Sequence, residues 1–273
     1  MERSNKCNPV FMYVGRKPHP FGNEWHTICC DLTSILWIAH IVEGKDRPTQ
    51  IVPEKWEELG KTVGLMLLMC EPIFSTGKCV FFNSGFCVSN GITALLEFGV
   101  YAAALVKKCK YWPKGVPGDA IDQYFSDKDV TYVYILESIT EDDPEGKAFN
   151  IFCFKESEYV VNIMATWMTF EELGGADTRR EYKGRDGQSL VRQIKLRQTS
   201  GLHFLYHHQV DYHNNRKNYP ISIESTWATK FWPNRNFAWY LAVTEVNMAL
   251  ADGHFRKGRK MIPTLQFRRK IAH

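Results

Sequence analysis

The chain has 273 residues, of which 44% are hydrophobic, 23% charged and 14% aromatic. That balance fits a globular protein with a sizeable interior and excludes a disordered or fibrous chain. Net charge is only +4 but uneven: seven Lys or Arg and no acid follow Asp252, leaving residues 1–252 slightly acidic.

The basic end admits two readings, a contact for a polyanion (nucleic acid first) or a solvated, disordered tail. No apolar stretch reaches the roughly 18–20 residues that span a bilayer. Met1-Glu2-Arg3-Ser4-Asn5-Lys6 lacks the hydrophobic block of a secretory signal, so a soluble, intracellular protein without membrane contact is expected. Eight cysteines, at 7, 29, 30, 70, 79, 87, 109 and 153, include no CxxC pair and read as reduced, mostly buried thiols.

Glu24 to Asp31 and Ile35 to Val42 read as two strands around a tight Leu32-Thr33-Ser34 turn. A helix is expected from Pro53, with Trp56, Leu59, Val63, Met66, Leu67 and Cys70 on one face. Cys79 to Phe82 forms a short strand ending at Asn83; Gly91 to Phe98 reads as helix and Val100 to Val106 as a buried strand. Strand, helix and strand with short connections make a βαβ unit with a parallel pair. With the hairpin before it, this predicts an α/β fold: a mixed sheet flanked by helices.

From Pro113 the composition shifts, and residues 113–195 read as a β-containing insertion, with strands at Val130–Leu136 and Phe149–Phe154. Tyr159–Trp167 is ambiguous between helix and strand, and Gly174 to Gln188 reads as an exposed loop. A helix from near Leu202 carries His207, Asp211 and Asn215 on one face and stops before Pro220. A last helix runs from about Pro233 to Asp252, with Phe237, Tyr240, Leu241, Thr244 and Met248 as its stripe and Gly253 as its stop. The expected layout is an N-terminal extension (1–21), a core (22–252) and a basic tail (253–273).

Three segments carry candidate chemistry. In an open sheet, ligands gather beyond the carboxyl ends of strands. Asp31 and Asn83 close two such strands, and a helix packed over that edge would bring in Asp211. Acids converging there suit a hard divalent cation such as Mg²⁺, and paired cations about 3.5–4 Å apart promote phosphoryl transfer. The bland readings are a turn aspartate for Asp31, an exposed helix charge for Asp211 and a turn starter for Asn83. His203, His207, His208 and His213 crowd around Asp211 and offer a histidine–carboxylate site for zinc or non-haem iron as an alternative. His207 and His208 point about 100° apart, however, so the four cannot all converge. Cys87 has no base placed beside it and reads as a packed thiol. Trp227, Trp232, Arg235 and Trp239 read either as a base-stacking surface or as aromatic core with a rim arginine. Lys107 and Lys108 follow a buried strand near the expected site and are candidate phosphate contacts.

The motifs in order resemble the DDE-type catalytic core of piggyBac-like transposases. They are Glu24-Trp25-His26-Thr27, Glu43-Gly44-Lys45-Asp46-Arg47-Pro48, Asn83-Ser84-Gly85-Phe86-Cys87, Gly99-Val100-Tyr101 and Val210-Asp211-Tyr212-His213-Asn214-Asn215. Trp227 to Arg235 and Phe267-Arg268-Arg269-Lys270 complete the series. The resemblance covers about Gly22 to His273. It implies a ribonuclease H-like fold, metal-dependent DNA strand cleavage and transfer with Mg²⁺ or Mn²⁺, DNA as partner, and the nucleus as location.

By motif position Asp31 is the first acid and Asp211 the third, while Asn83 stands where the second belongs. The implied metal ligands are therefore Asp31, Asp211 and Asn83, and impaired catalysis is expected. The alternative is a domesticated, non-enzymatic nuclear DNA-binding or protein-interaction module. Arg235, Arg268, Arg269 and Lys270 join Lys107 and Lys108 as candidate DNA contacts. Members of the family usually carry an N-terminal region for DNA binding and dimerisation. Here about thirty residues precede the first acid, so a truncated core is expected, with a homodimer as one possible assembly.

Overall fold

The structure, a computed structural model, describes residues 10, 12–15, 21–42, 53–106, 117–126, 133–139, 147–156, 159–167, 178–183, 188–194, 198–227, 229, 231–256 and 262–271. Its contacts divide the chain into two compact units, one of residues 1–51 with 208–273 and the other of residues 52–207.

The first unit holds two antiparallel hairpins, β1 (Met12–Tyr13) with β2 (Phe21–Gly22), and β3 (Trp25–Cys29) with β4 (Leu36–Ile41). Its helices are α5 (Gln209–Asn218), α6 (Ile223–Thr226), α7 (Trp232–Phe255) and α8 (Thr264–Ile271). The core forms where β3 and β4 meet α7. Leu36, Trp239 and Val243 are buried there, and Trp25 stacks on Trp239 with ring centroids 4.0 Å apart and planes 2° from parallel. Offset ring stacking adds about 0.5–1.5 kcal/mol to the burial of two large apolar surfaces. Trp239 is therefore core.

The second unit is built on a five-stranded sheet, ordered β5 (Cys79–Phe82), β6 (Tyr101–Leu105), β9 (Tyr159–Ala165), β8 (Lys147–Glu156) and β7 (Val133–Ile139). β5 and β6 are parallel, as expected, joined through α2 (Ser89–Glu97), and the remaining pairs are antiparallel. α1 (Lys61–Cys70) packs on α2, preceded by a 3₁₀ turn over Glu54–Leu59 where one continuous helix was expected. Gly60, at φ 85°, breaks the two apart. α3 (Gly118–Phe125), which the sequence reading did not anticipate, and α4 (Gln198–Tyr206) belong to the same unit, as does a hairpin of β10 (Thr178–Lys183) and β11 (Ser189–Ile194).

Four expectations need correction. The strands that widen the mixed sheet come from residues 133–165, while β3 and β4 pair only with each other among the described residues. The reason lies in β9: Val160, Val161, Ile163, Met164 and Ala165 are all buried, the run of a strand covered on both faces. The loop expected over 174–188 contains β10, an arginine-rich strand whose two-stranded ribbon supplies no apolar alternation to read. The single helix through His207 and Asp211 is two helices, broken at His207-His208, and the break coincides with the passage between units. In α7, Phe237, Tyr240, Leu241 and Met248 are exposed, and Ala238, Trp239, Ala242, Val243, Val246, Ala249 and Leu250 are buried instead. Small alanines let that face approach its neighbours closely.

The six described cysteines are free thiols, as expected. Residues 264–271 of the basic end form a helix with Phe267 buried, so the disordered-tail reading fails for that stretch.

Candidate metal and DNA site

Asp31 opens the turn between β3 and β4 and is exposed. The turn closes through Ser34 N–H to the Cys30 carbonyl and Cys30 N–H to the Ile35 carbonyl, both 2.9 Å, with Ser34 in the left-handed region at φ 56°. The Cys30 thiol faces Asp31 Oδ1 at 3.9 Å, too long to neutralise it.

Asp211 sits in the first turn of α5 and is also exposed. An acid there interacts favourably with the helix dipole, by about 0.3–1 kcal/mol. The buried face of α5 carries His213 and Lys217. Lys217 pairs with Glu224 of α6 and lies 5.3 Å above the Trp239 ring, which compensates the burial of its charge. Burial holds the His213 imidazole below its usual pKa, opposed by its contact with Asn247 and reinforced by Lys217 and Arg216.

The elements bearing Asp31 and Asp211 are tied together within the first unit. Ser34 Oγ donates to Gln209 Oε1 at 2.6 Å, linking a residue three after Asp31 to one two before Asp211. At 100° per residue, Asp211 stands about 160° round α5 from both Gln209 and His213. The docked face of the helix is thus opposite the face that presents Asp211 and, one turn on, exposed Asn215. Among the described residues neither Asp31 nor Asp211 has an ion-pair partner.

Asn83 lies in the second unit, exposed, directly after β5. It caps a 3₁₀ turn over Ser84–Phe86, with Oδ1 accepting from Gly85 N–H at 2.9 Å. The turn-starter reading of this residue is correct. A Cβ on Gly85 would stand 3.1 Å from that oxygen, so glycine suits the position. Downstream, burial pushes the Cys87 thiol up to about 12, which keeps it protonated and argues against a nucleophile.

As a donor set, two unpaired carboxylates suit a hard divalent cation. Asn83, in the other unit, carries a neutral amide oxygen already engaged by Gly85, and no group of three or more His, Cys, Asp or Glu converges among the described residues. Within the first unit the residues present fit a divalent cation through two carboxylates.

The basic candidates differ in state. Arg268 is largely buried in an ion pair with Glu245 of α7, and its Nη1 donates to the Ile221 carbonyl. Arg269 and Lys270 are exposed on α8. Arg235 is exposed, with Nε donating to the Thr229 carbonyl at 2.9 Å. Lys107 and Lys108 lie outside the described residues. Gln209, Ser34 and Asn247 were missed by sequence reasoning; the one available signal was Asn247, a lone amide within the apolar run Val246 to Leu250.

A DDE-type family model described as Transposase IS4 matches residues 3–248, most of the chain. The chain belongs to this transposase family. Its fold is similar to that in a cryo-EM structure of a piggyBac transposase synaptic complex with hairpin DNA, at a TM-score of 0.64 and 13% identity. That match covers 96% of this chain and 48% of the piggyBac chain, so the chain spans about half the length of that transposase. No curated protein matches the sequence. No helix among the described residues is long and apolar enough to cross a membrane.

Proposed function

We propose that this chain is the ribonuclease H-like catalytic core of a piggyBac-type transposase whose DNA strand cleavage and transfer are weakened or lost at Asn83. The observation that carries the reading is the pairing of the Asp31 turn with the Asp211 helix through Ser34 and Gln209, with both carboxylates left unpaired. In this reading Asp31, Asp211 and Asn83 hold Mg²⁺ or Mn²⁺. Such ions, when bound, activate a water or a 3′ hydroxyl and offset charge on the leaving oxygen. Asp31 and Asp211 supply the negative charge that retains a cation, and Asn83 supplies only a dipole. The site is one unit less negative than three acids would make it, so metal affinity falls.

DNA is the partner proposed, because the piggyBac relative is a complex with hairpin DNA. Exposed Arg235, Arg269 and Lys270 would contact phosphates, setting affinity without reading sequence. The nucleus is the compartment in which such a partner is met.

The engagement of Asn83 in its own turn also favours a second reading, a domesticated nuclear module that binds DNA or protein without cutting. Nicking of hairpin DNA in Mg²⁺ or Mn²⁺ by the wild type and Asn83→Asp separates the two. Cleavage that appears only in Asn83→Asp supports an enzyme disabled at one position. Cleavage in neither, with tight DNA binding that weakens steeply with salt, supports the module. Robust cleavage by the wild type overturns the assignment of Asn83 as a lesion.

A further inference from the structure

Asn247 lies in the second half of α7, within the apolar run Val246 to Leu250. Its amide is spent on the backbone of β4: Leu36 N–H donates to Oδ1 at 2.9 Å, and Nδ2 donates to the Leu36 carbonyl at 2.9 Å. One side chain thus answers both main-chain groups of the first β4 residue, as a neighbouring strand would. These two bonds also fix which end of the amide is oxygen, a choice otherwise open for asparagine. The same Oδ1 lies 3.2 Å from His213 Nε2 on α5. Because an amide oxygen only accepts, His213 must carry its proton on Nε2. His213 Nδ1 is buried with no hydrogen-bond partner among the described residues.

Leu36 is five residues after Asp31, and His213 is two after Asp211. Asn247 therefore forms a second bridge between the two acid-bearing elements, one helical turn along α5 from the Ser34–Gln209 bridge. Two anchors one turn apart do what one cannot, since a helix held at a single point can roll about its axis. Asp211 lies between the anchors, so its direction is set by both.

We propose that Asn247 is a positioning residue for the metal site, fixing the rotation of α5 and hence the direction of Asp211 relative to the Asp31 turn. This rests on the reading of Asp31 and Asp211 as metal ligands.

The test uses the full chain with Asn247→Ala and Asn247→Asp. The aspartate keeps an acceptor for both Leu36 N–H and His213 Nε2–H, while its second oxygen replaces the donor to the Leu36 carbonyl with an acceptor. Two readouts are taken: Mn²⁺ affinity by electron paramagnetic resonance, and amide hydrogen exchange at Leu36 and at residues 211–215. The expected result for Asn247→Ala is about tenfold weaker Mn²⁺ binding and faster exchange in the first turn of α5 as well as at Leu36. Asn247→Asp should stay within about threefold of wild type in Mn²⁺ affinity. Exchange that quickens at Leu36 alone, with Mn²⁺ affinity unchanged, overturns the proposal.

If Asn247→Ala does not fold, the ring-nitrogen spectrum of wild-type His213 decides: a proton on Nδ1 rather than Nε2 contradicts the bridge. If wild type binds no Mn²⁺ that Asp31→Ala abolishes, the ligand reading has failed. The exchange pattern still decides whether Asn247 orients α5.

Discussion

Replacing Arg268 with methionine should expose how strongly α8 is fastened. Arg268 and Glu245 have side chains only 14% and 8% exposed, with Nε facing Oε1 at 2.5 Å. The pairing is incomplete, since Glu245 Oε2 and Arg268 Nη2 are buried without partners among the described residues. Arg268→Met leaves the Glu245 carboxylate buried and unpaired, and breaking such a pair costs about 3–5 kcal/mol. Protonation, the escape open to a stranded acid, limits the part of that cost that comes from the charge. Neutralising an ordinary glutamate costs about 3.7 kcal/mol at pH 7 and about 1 kcal/mol at pH 5.

The sign follows: in the variant the folded state favours the protonated acid and the unfolded state the ionised one. The destabilisation therefore grows as pH rises and shrinks as it falls. Glu245→Leu should cost less, about 1–2 kcal/mol, because a long guanidinium can swing outward to water. The double variant Arg268→Met with Glu245→Leu should recover most of the loss, giving strong non-additivity. Urea unfolding at both pH values measures all of this. An Arg268→Met loss that is the same at pH 5 and pH 7 would refute the reasoning.

Other predictions are independent of that pair. Burial pushes the Cys70 and Cys87 thiols up to about 12, so stability they contribute is complete below the ordinary thiol range and is lost as pH rises from there toward about 12. Iodoacetamide at mildly alkaline pH should label both far more slowly in native than in denatured protein, and equal rates would contradict their burial. Gly99 has φ 68°, and an added Cβ would stand 3.1 Å from Ser75 Cα, whereas Gly77 has φ 66° with open space. By thermal unfolding Gly77→Ala should cost about 1–2 kcal/mol and Gly99→Ala more, with the excess reporting the clash. If Arg269 and Lys270 contact phosphate, changing each to alanine should weaken DNA binding uniformly across sequences. Fluorescence anisotropy should then show the salt slope falling by about one per residue.

The parts of this fold that could be read in advance are those where residue pattern and burial coincide. The β3–β4 hairpin has a tight turn between apolar strands, and β5–α2–β6 has strand and helix periods separated by glycine and asparagine. Gly99, in a motif on sequence grounds, proves to be a left-handed residue pressed against Ser75. The phase of α7 was not legible because apolar residues surround it: Phe237, Tyr240, Leu241 and Met248 suggest one stripe, and the smaller Ala238, Ala242 and Ala249 form the buried one. At His207-His208 nothing in composition marks a break, since His203 in α4's last turn and His207 just past it stack as they would in a continuous helix. Of the candidate site, the positions of Asp31, Asn83 and Asp211 at element ends were readable. The supporting bonds from Ser34, Gln209 and Asn247 were not, because each spans a sequence separation that no local pattern encodes.

Calorimetric titration of Mn²⁺ into wild type, Asn83→Asp, Asp31→Ala and Asp211→Ala addresses the absent acid most directly. The account predicts weak binding by wild type, loss in either alanine variant, and at least about tenfold tighter binding, or 1.4 kcal/mol, in Asn83→Asp. An Asn83→Asp affinity equal to wild type, or binding that survives removal of Asp31 and Asp211, would contradict it.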